Sequence, residues 1–341
     1  MRLKTFLSVF LIVSFSGALF FYLYICCSIS PVKENVETSD GIFTLGPELS
    51  APRTESAGVT VGDKFYIGGG LNSIGKTLSD FYVYDGVTDK WKELKNLPFP
   101  VNHEGVTTDG KYIYLVGGFA PLSIRIHGFM LANWVPYDML YRYDPANNTW
   151  MQLSKMPEAR GAGGIAYGEG KIWYTGGINP NKKISASLFS YSIKEDKWEI
   201  LTPMKHARDH MRMEYHKGNL YAISGREDDL RYNLEYLERY NIEKKEWLTL
   251  EPIPTPRGGF SSIVYNDKIY TFGGENVWSC YDKIEVYDIN SGKWSVLAGL
   301  PEARHGIISG NINGSIHLIS GGKHTRLSVS GLHRIYKPKI L

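Results

Sequence analysis

Short runs of alternating apolar and polar residues, separated by turn residues, recur along most of the chain. The clearest stretch is near the C-terminal third. Ser261–Tyr265 is a β-rich run, and Asn266-Asp267 supplies a turn that tolerates positive φ. Lys268–Phe272 is a second run, stopped by Gly273-Gly274. After a loop comes the alternating Lys283-Ile284-Glu285-Val286-Tyr287, then the turn Asp288-Ile289-Asn290-Ser291-Gly292, then Trp294-Ser295-Val296-Leu297. Each run is too short for a helix and has period two rather than 3.6, so the stretch predicts four consecutive strands.

This unit repeats. Trp91, Trp150, Trp198, Trp247 and Trp294 are 59, 48, 49 and 47 residues apart. The doublets Gly69-Gly70, Gly117-Gly118, Gly176-Gly177, Ser224-Gly225, Gly273-Gly274 and Ser320-Gly321 have last members 48, 59, 48, 49 and 47 apart. Two independent markers keeping one period near 50, with four strands per unit, predict a propeller rather than a helical solenoid. The tyrosines and tryptophans are read as wedge-filling core between blades, and the glycines as sites of close strand approach. A sixth timing aromatic would fall near position 342, past Leu341, whereas one period before Trp91 lies Phe43. The expectation is six blades, the last closed by an N-terminal strand around Phe43, which leaves no open edge.

The string of apolar residue, Tyr, Gly-Gly, then Tyr-Asp, then Trp, then Leu-Pro-x-x-Arg resembles the kelch repeat over roughly residues 43–337. The resemblance implies an all-β six-bladed kelch β-propeller. It says little about activity, because kelch propellers include both enzymes and binding platforms.

Composition adds bounds. A formal charge of +3 is nearly neutral and gives no case for nucleic acid. Of three cysteines only Cys280 lies in the repeats, so no internal disulfide forms there. Residues 6–27 are uncharged and mostly apolar, preceded by Arg2 and Lys4. At about 1.5 Å per residue they would form a helix spanning a hydrocarbon core of about 30 Å. The expected organisation is a signal-anchor or signal peptide over 1–27, a polar linker over 28–40 and the propeller over 41–341. The basic flank places the propeller extracytoplasmic or lumenal, with a secreted or periplasmic form as the alternative. Asn147-Asn148-Thr149 and Asn313-Gly314-Ser315 match the glycosylation triplet, a pattern common by chance.

Candidate chemistry comes from what decorates the repeat. Arg53, Arg160, Arg208, Arg257 and Arg304 each lie ten residues before the tip of a first hairpin. In the kelch propellers the chain resembles, this position lies near the channel mouth. Five guanidiniums around one opening would suit a carboxylate or phosphate, although arginines here can instead tie strands together through backbone carbonyls. Blade 2 offers Pro100-Val101-Asn102-His103 in place of an arginine, and its extra length lies in an apolar loop, residues 119–134. Trp134 and Trp278 fall outside the timing positions, in loops on the same face as the arginines. Blade 4 carries Gly225-Arg226-Glu227-Asp228-Asp229-Leu230-Arg231. Resemblance to sialic-acid mutarotases, which are kelch propellers, would make Glu227 and Arg231 catalytic candidates. His206 and His210 lie on an extended segment that need not bring them together, so no metal and no cofactor is expected.

The reading is a membrane-tethered or secreted monomeric propeller. It binds a protein or an acidic ligand through Arg53, Arg160, Arg208, Arg257, Arg304, His103, Trp134 and Trp278. The alternative is a carbohydrate mutarotase.

Overall fold

A computed structural model describes residues 32–121, 134–227 and 229–339. The expected helix over residues 6–27 lies outside them. Among the described residues there is no helix, and therefore none long and apolar enough to cross a membrane. Residues 35–341 form one compact unit.

The unit is all-β and holds six blades. Blade 1 runs outward as Ala57–Val61, Lys64–Gly68, Phe81–Asp85 and Lys90–Glu93, each strand antiparallel to the next. The innermost strands of the next four blades are Gly105–Thr108, Gly164–Gly168, Arg212–His216 and Ser261–Tyr265. In blade 6, Ile308–Ile312, Ser315–Ile319 and His333–Pro338 are followed outward by Gly41–Leu45 and then Val36–Glu37. Gly41–Leu45 pairs with His333–Pro338 in antiparallel register, Phe43 opposite Tyr336. Blade 2 also carries a two-stranded hairpin, Phe119–Pro121 with Trp134–Pro136, at the base of its long loop.

The timing aromatics do two jobs. Within a blade each tryptophan lies across from a tyrosine, as in Tyr84–Trp91, Tyr143–Trp150, Tyr191–Trp198, Tyr240–Trp247 and Tyr287–Trp294, with ring centroids 4.9–5.4 Å apart. Between blades, each indole N–H donates to a backbone carbonyl of the preceding blade's outer edge. The acceptors are Pro47, Lys95, Ser154, Thr202 and Glu251, in chain order. One side chain thus fills the wedge and fastens it, which explains why the repeat keeps tryptophan rather than another large apolar residue.

The doublets are the second joint. Both members have positive φ, for example Gly176 at 72° and Gly177 at 81°. A Cβ on Gly177 would meet the Gly161 carbonyl at 2.5 Å, and one on Gly225 the Asp209 carbonyl at 2.6 Å. Only glycine fits the second place. The first tolerates serine, and the Ser224 and Ser320 hydroxyls donate to the carbonyls of Arg257 and Arg53 in the next blade.

Candidate functional site at the channel mouth

The repeat arginines sit where the doublets dock. The N–H groups of Gly118, Gly177, Gly225, Gly274 and Gly321 donate to the backbone carbonyls of Arg160, Arg208, Arg257, Arg304 and Arg53 in the following blade. Each arginine side chain turns into its own blade. Arg53 donates to the Gly69 and Asp80 carbonyls and pairs with the Asp80 carboxylate at 2.5 Å. Arg257 donates to the Gly273 and Lys283 carbonyls and pairs with Glu285. Arg208 holds the Ala222 carbonyl and pairs with Glu238. Arg160 meets Ser185 Oγ at 2.7 Å and Glu158 at 2.7 Å. Arg304 donates to the Ser320 and Leu332 carbonyls, and burial lowers its pKa to about 10.

All five side chains are buried, so the expected ring of guanidiniums facing a ligand is corrected. They close the gap where the second strand ends and the third begins, where the Gly69, Gly273 and Ser320 carbonyls accept from Arg53, Arg257 and Arg304.

The mouth itself is built two residues further on. Glu55, His103, Ala162, His210, Gly259 and Gly306 occupy equivalent places in the six blades, all with φ between 47° and 62°. Their backbones form a collar. His103 N donates to Glu55 O, Ala162 N to His103 O, His210 N to Ala162 O, Gly259 N to His210 O and Gly306 N to Gly259 O. Three of the six positions carry ionisable side chains, Glu55, His103 and His210, and these converge. His103 Nε2 is 3.2 Å from Glu55 Oε2, and the His103 and His210 rings are 4.7 Å apart at 76°. Asn102 Oδ1 holds His103 Nδ1 at 2.6 Å, while Asp209 Oδ1 holds His210 Nδ1. Arg226 reaches in from blade 4, with Nη2 2.6 Å from His210 Nε2, Nε 3.3 Å from Asp209 and Nη1 3.7 Å from Glu275.

Electrostatics follow from this packing. Burial opposes ionisation of Glu55, but His103, His305, His210 and Arg226 together outweigh it and hold its pKa at about 2. Burial pushes His103 down to about 3, leaving its imidazole neutral.

Beside this cluster lies a second one. His305 follows Arg304 directly, and its Nε2 is 3.4 Å from Thr54 Oγ1 and 3.7 Å from Glu55 Oε1. Its Nδ1 faces Cys280 Sγ at 3.5 Å and Glu275 Oε2 at 3.8 Å. Burial pushes the Cys280 thiol up to about 12.

Below the mouth the channel is a cavity of about 290 Å³ lined by the innermost strands of all six blades. Its carboxyl and guanidinium side chains are Glu104, Glu214 and Arg212. Arg212 Nε donates to the Phe260 carbonyl at 2.6 Å. Ala57 N–H donates to Glu104 Oε1, and Oε2 has no hydrogen-bond partner. Burial raises Glu104 to about 8 and Glu214 to about 7.

A family model described as the Attractin/LZTR1 beta-propeller matches residues 124–341, more than half of the chain, and the kelch motif matches residues 52–98. The chain belongs to the Attractin/LZTR1 beta-propeller family. Kelch-like protein terF of Aspergillus terreus is 28% identical over 330 residues, covering 91% of this chain and 70% of that protein. Beta-scruin of Limulus polyphemus is 27% identical over 267 residues, 75% of this chain but 29% of its own length. A solved structure titled "Structure of YjhT" superposes with a TM-score of 0.72 at 18% identity, covering 84% of this chain and 95% of that one. That likeness establishes the fold alone.

Among the other sequence candidates of this kelch propeller, His103 lies in the mouth cluster. Trp134 stacks on Phe119 with centroids 6.0 Å apart and lies 5.4 Å from His103. The rest of the long loop, residues 122–133, lies outside the described residues. Trp278 stands apart at 87% exposure. Glu227 is exposed, and Arg231 pairs with Asp229 at 2.6 Å. His206 stacks on Tyr236 at 3.6 Å and does not join His210. Glu55, Arg226, Glu275 and His305 were not singled out as site residues. The signal available was their register, since Glu55 and His305 follow repeat arginines by two residues and one.

Proposed function

We infer that this propeller is a binding platform whose partner is a protein docking on the mouth face, with Trp278 as an anchor. The observation that carries this is the exposure of Trp278 on an ordered turn. Asn276 Oδ1 accepts the N–H groups of Trp278 at 2.8 Å and Ser279 at 2.9 Å, and Asn276 Nδ2 donates to Tyr281 Oη at 2.8 Å. A large aromatic presented on a preformed turn loses little entropy on binding, and tryptophan dominates protein hot spots. For recognition of an acidic ligand, Arg226 at the mouth and Arg212 in the channel are cations among the described residues, whereas the repeat arginines are committed inside the blades.

A photo-crosslinking residue at position 278 tests this against one at Lys217, on the hairpin at the other end of the channel. The expected result is a discrete adduct from position 278 that unlabelled protein competes away, with none from 217. Equal adducts from both, or none, would remove the reading.

The platform is proposed to be tethered by residues 6–27 as an uncleaved anchor, with the propeller on the extracytoplasmic or lumenal side. Support comes from the length of the apolar run and its basic flank. Intact mass of the mature protein decides it, and a start near Ile29 would replace the anchor by a cleaved signal.

A second reading, a sugar mutarotase, draws support from Glu104 and Glu214, channel carboxyls held near neutrality where general acid–base transfer works best. Glu227 and Arg231 are its outer-loop candidates. Exchange spectroscopy of sugar anomers with added protein tests it, and an unchanged exchange rate would exclude it for that sugar.

A further inference from the structure

We propose that Glu275, Cys280 and His305 form a binding site for a zinc-type divalent cation that clamps the Trp278 hairpin to the neighbouring blade. The inference does not depend on partner binding.

Two of the three donor pairs already have the spacing such a site requires, and the third lies within 4.8 Å. Zinc bonds of about 2.0–2.1 Å to nitrogen and about 2.3 Å to sulfur, at tetrahedral angles, put neighbouring donors about 3.3–3.8 Å apart. His305 Nδ1 is 3.5 Å from Cys280 Sγ and 3.8 Å from Glu275 Oε2, and the three donors all lie within 4.8 Å of one another. A thiolate, an imidazole and a carboxylate together suit zinc or cobalt better than magnesium or calcium. With three protein donors, the fourth position is left for water or a ligand group.

The surroundings of His305 supply an independent observation. A metal-bound histidine usually donates its other ring N–H to an oxygen that fixes its tautomer. His305 Nε2 lies 3.4 Å from Thr54 Oγ1 and 3.7 Å from Glu55 Oε1, two oxygens able to accept an Nε2–H, and in that tautomer the Nδ1 lone pair faces the cysteine and the glutamate. The Glu55–His103–His210 cluster is less suited. There Arg226 Nη2 stands 2.6 Å from His210 Nε2, whereas its Nη1 is 3.7 Å from Glu275 Oε1 and leaves Oε2, which accepts the Arg326 N–H at 3.0 Å, turned toward His305.

Chain geometry gives the site its consequence. Glu275 and Cys280 face each other as a bridge pair across the neck of the hairpin that carries Trp278. His305 comes from blade 6, where its backbone pairs with Gly322. A cation shared by the three would join the two blades at the rim and set the angle at which Trp278 leaves the face.

The test uses the full chain, stripped by chelator under reducing conditions and given Co²⁺ and then Zn²⁺. The expected result is about one metal per chain, a thiolate-to-cobalt charge-transfer band, and a rise in melting temperature with Zn²⁺. A Cys26→Ser, Cys27→Ser double variant should keep all three, which excludes the N-terminal thiols. Cys280→Ser should lose the band, weaken metal binding at least tenfold and abolish the thermal shift, while melting like the metal-free parent. His103→Gln and His210→Gln should bind as the parent does. Failure of the parent to retain stoichiometric metal would overturn the proposal. So would Cys280→Ser binding unchanged, or binding lost in His103→Gln while Cys280→Ser keeps it. If Cys280→Ser fails to fold, the parent's spectrum and thermal shift decide alone, and absence of either overturns the site.

Discussion

Phe43 packs its ring 4.4 Å from that of Tyr336, 20° from parallel, across two strands from opposite ends of the sequence. The other five blades use the same cross-strand place for a tryptophan against a tyrosine. Phe43 is fully buried, so Phe43→Ala should cost about 3–5 kcal/mol by cavity formation and lost burial. Deleting residues 41–50 should lower the melting temperature further by removing the pairing as well. Thermal melts of both variants check this, and an unchanged midpoint after the deletion would show that the propeller does not depend on that strand.

Arginine substitutions separate architecture from ligand binding. Arg257→Ala leaves Glu285, which is 1% exposed, without its cation and with only Thr255 as a donor among the described residues, and removes the guanidinium from the Gly273 carbonyl. Breaking a buried pair of this kind costs about 3–5 kcal/mol. The expected outcome is a large loss in urea-unfolding free energy. A stable Arg257→Ala protein with weakened anion binding would reverse the assignment.

Stability should peak near neutral pH, and its two limbs have different owners. His103, His317 and His333 are held down by burial at about 3, 4 and 3, below their ordinary 6.5. The unfolded chain takes up their protons first, so stability falls as pH drops through 6.5. Glu104 is raised to about 8, so the folded state holds its proton while the unfolded state has lost it above about 4.5. This stabilising proton is lost as pH rises through 8. Above pH 6.5 the histidine limb is flat and the carboxyl limb remains, Glu104 contributing a slope of up to about 1.4 kcal/mol per pH unit and Glu214, raised to about 7, adding to it up to that pH. Urea unfolding between pH 5 and 9 should show the maximum, and Glu104→Gln should flatten the fall above pH 6.5 and steepen the rise below it.

The blades were legible because each one reuses the same physical solution. Tyr84–Trp91 and its equivalents fill one wedge, and Gly70 and its equivalents allow one close approach, so the pattern prints itself repeatedly. Of the mouth only His103 was legible, because equivalent positions hold Glu, His, Ala, His, Gly and Gly. What they share is a left-handed backbone, visible in sequence only at Gly259 and Gly306. Register gave the height of Arg53 and Arg257 along the axis but not the direction of their side chains. That direction is set by the carbonyls of Gly69 and Gly273, which need donors. The pairing of Cys280 with His305 joins loops from two blades, and neither loop alone carries a metal-ligand spacing.

The tryptophan latches offer a graded test of what joins the blades. Trp198 Nε1 donates to the Ser154 carbonyl at 2.8 Å, whereas Trp150 Nε1 reaches the Lys95 carbonyl at 3.4 Å. Phenylalanine at either place keeps most of the ring packing and removes the donor. A net hydrogen bond is worth about 0.5–1.5 kcal/mol, and a long one contributes toward the lower end. Trp198→Phe should therefore cost about 1 kcal/mol and Trp150→Phe less, while Trp198→Ala should cost about 3–5 kcal/mol through lost burial. Urea unfolding of the three variants under one buffer measures the order. If Trp198→Phe is neutral while Trp198→Ala is severe, the indole acts as a wedge only, and the N–H bond to the preceding blade contributes nothing to cohesion.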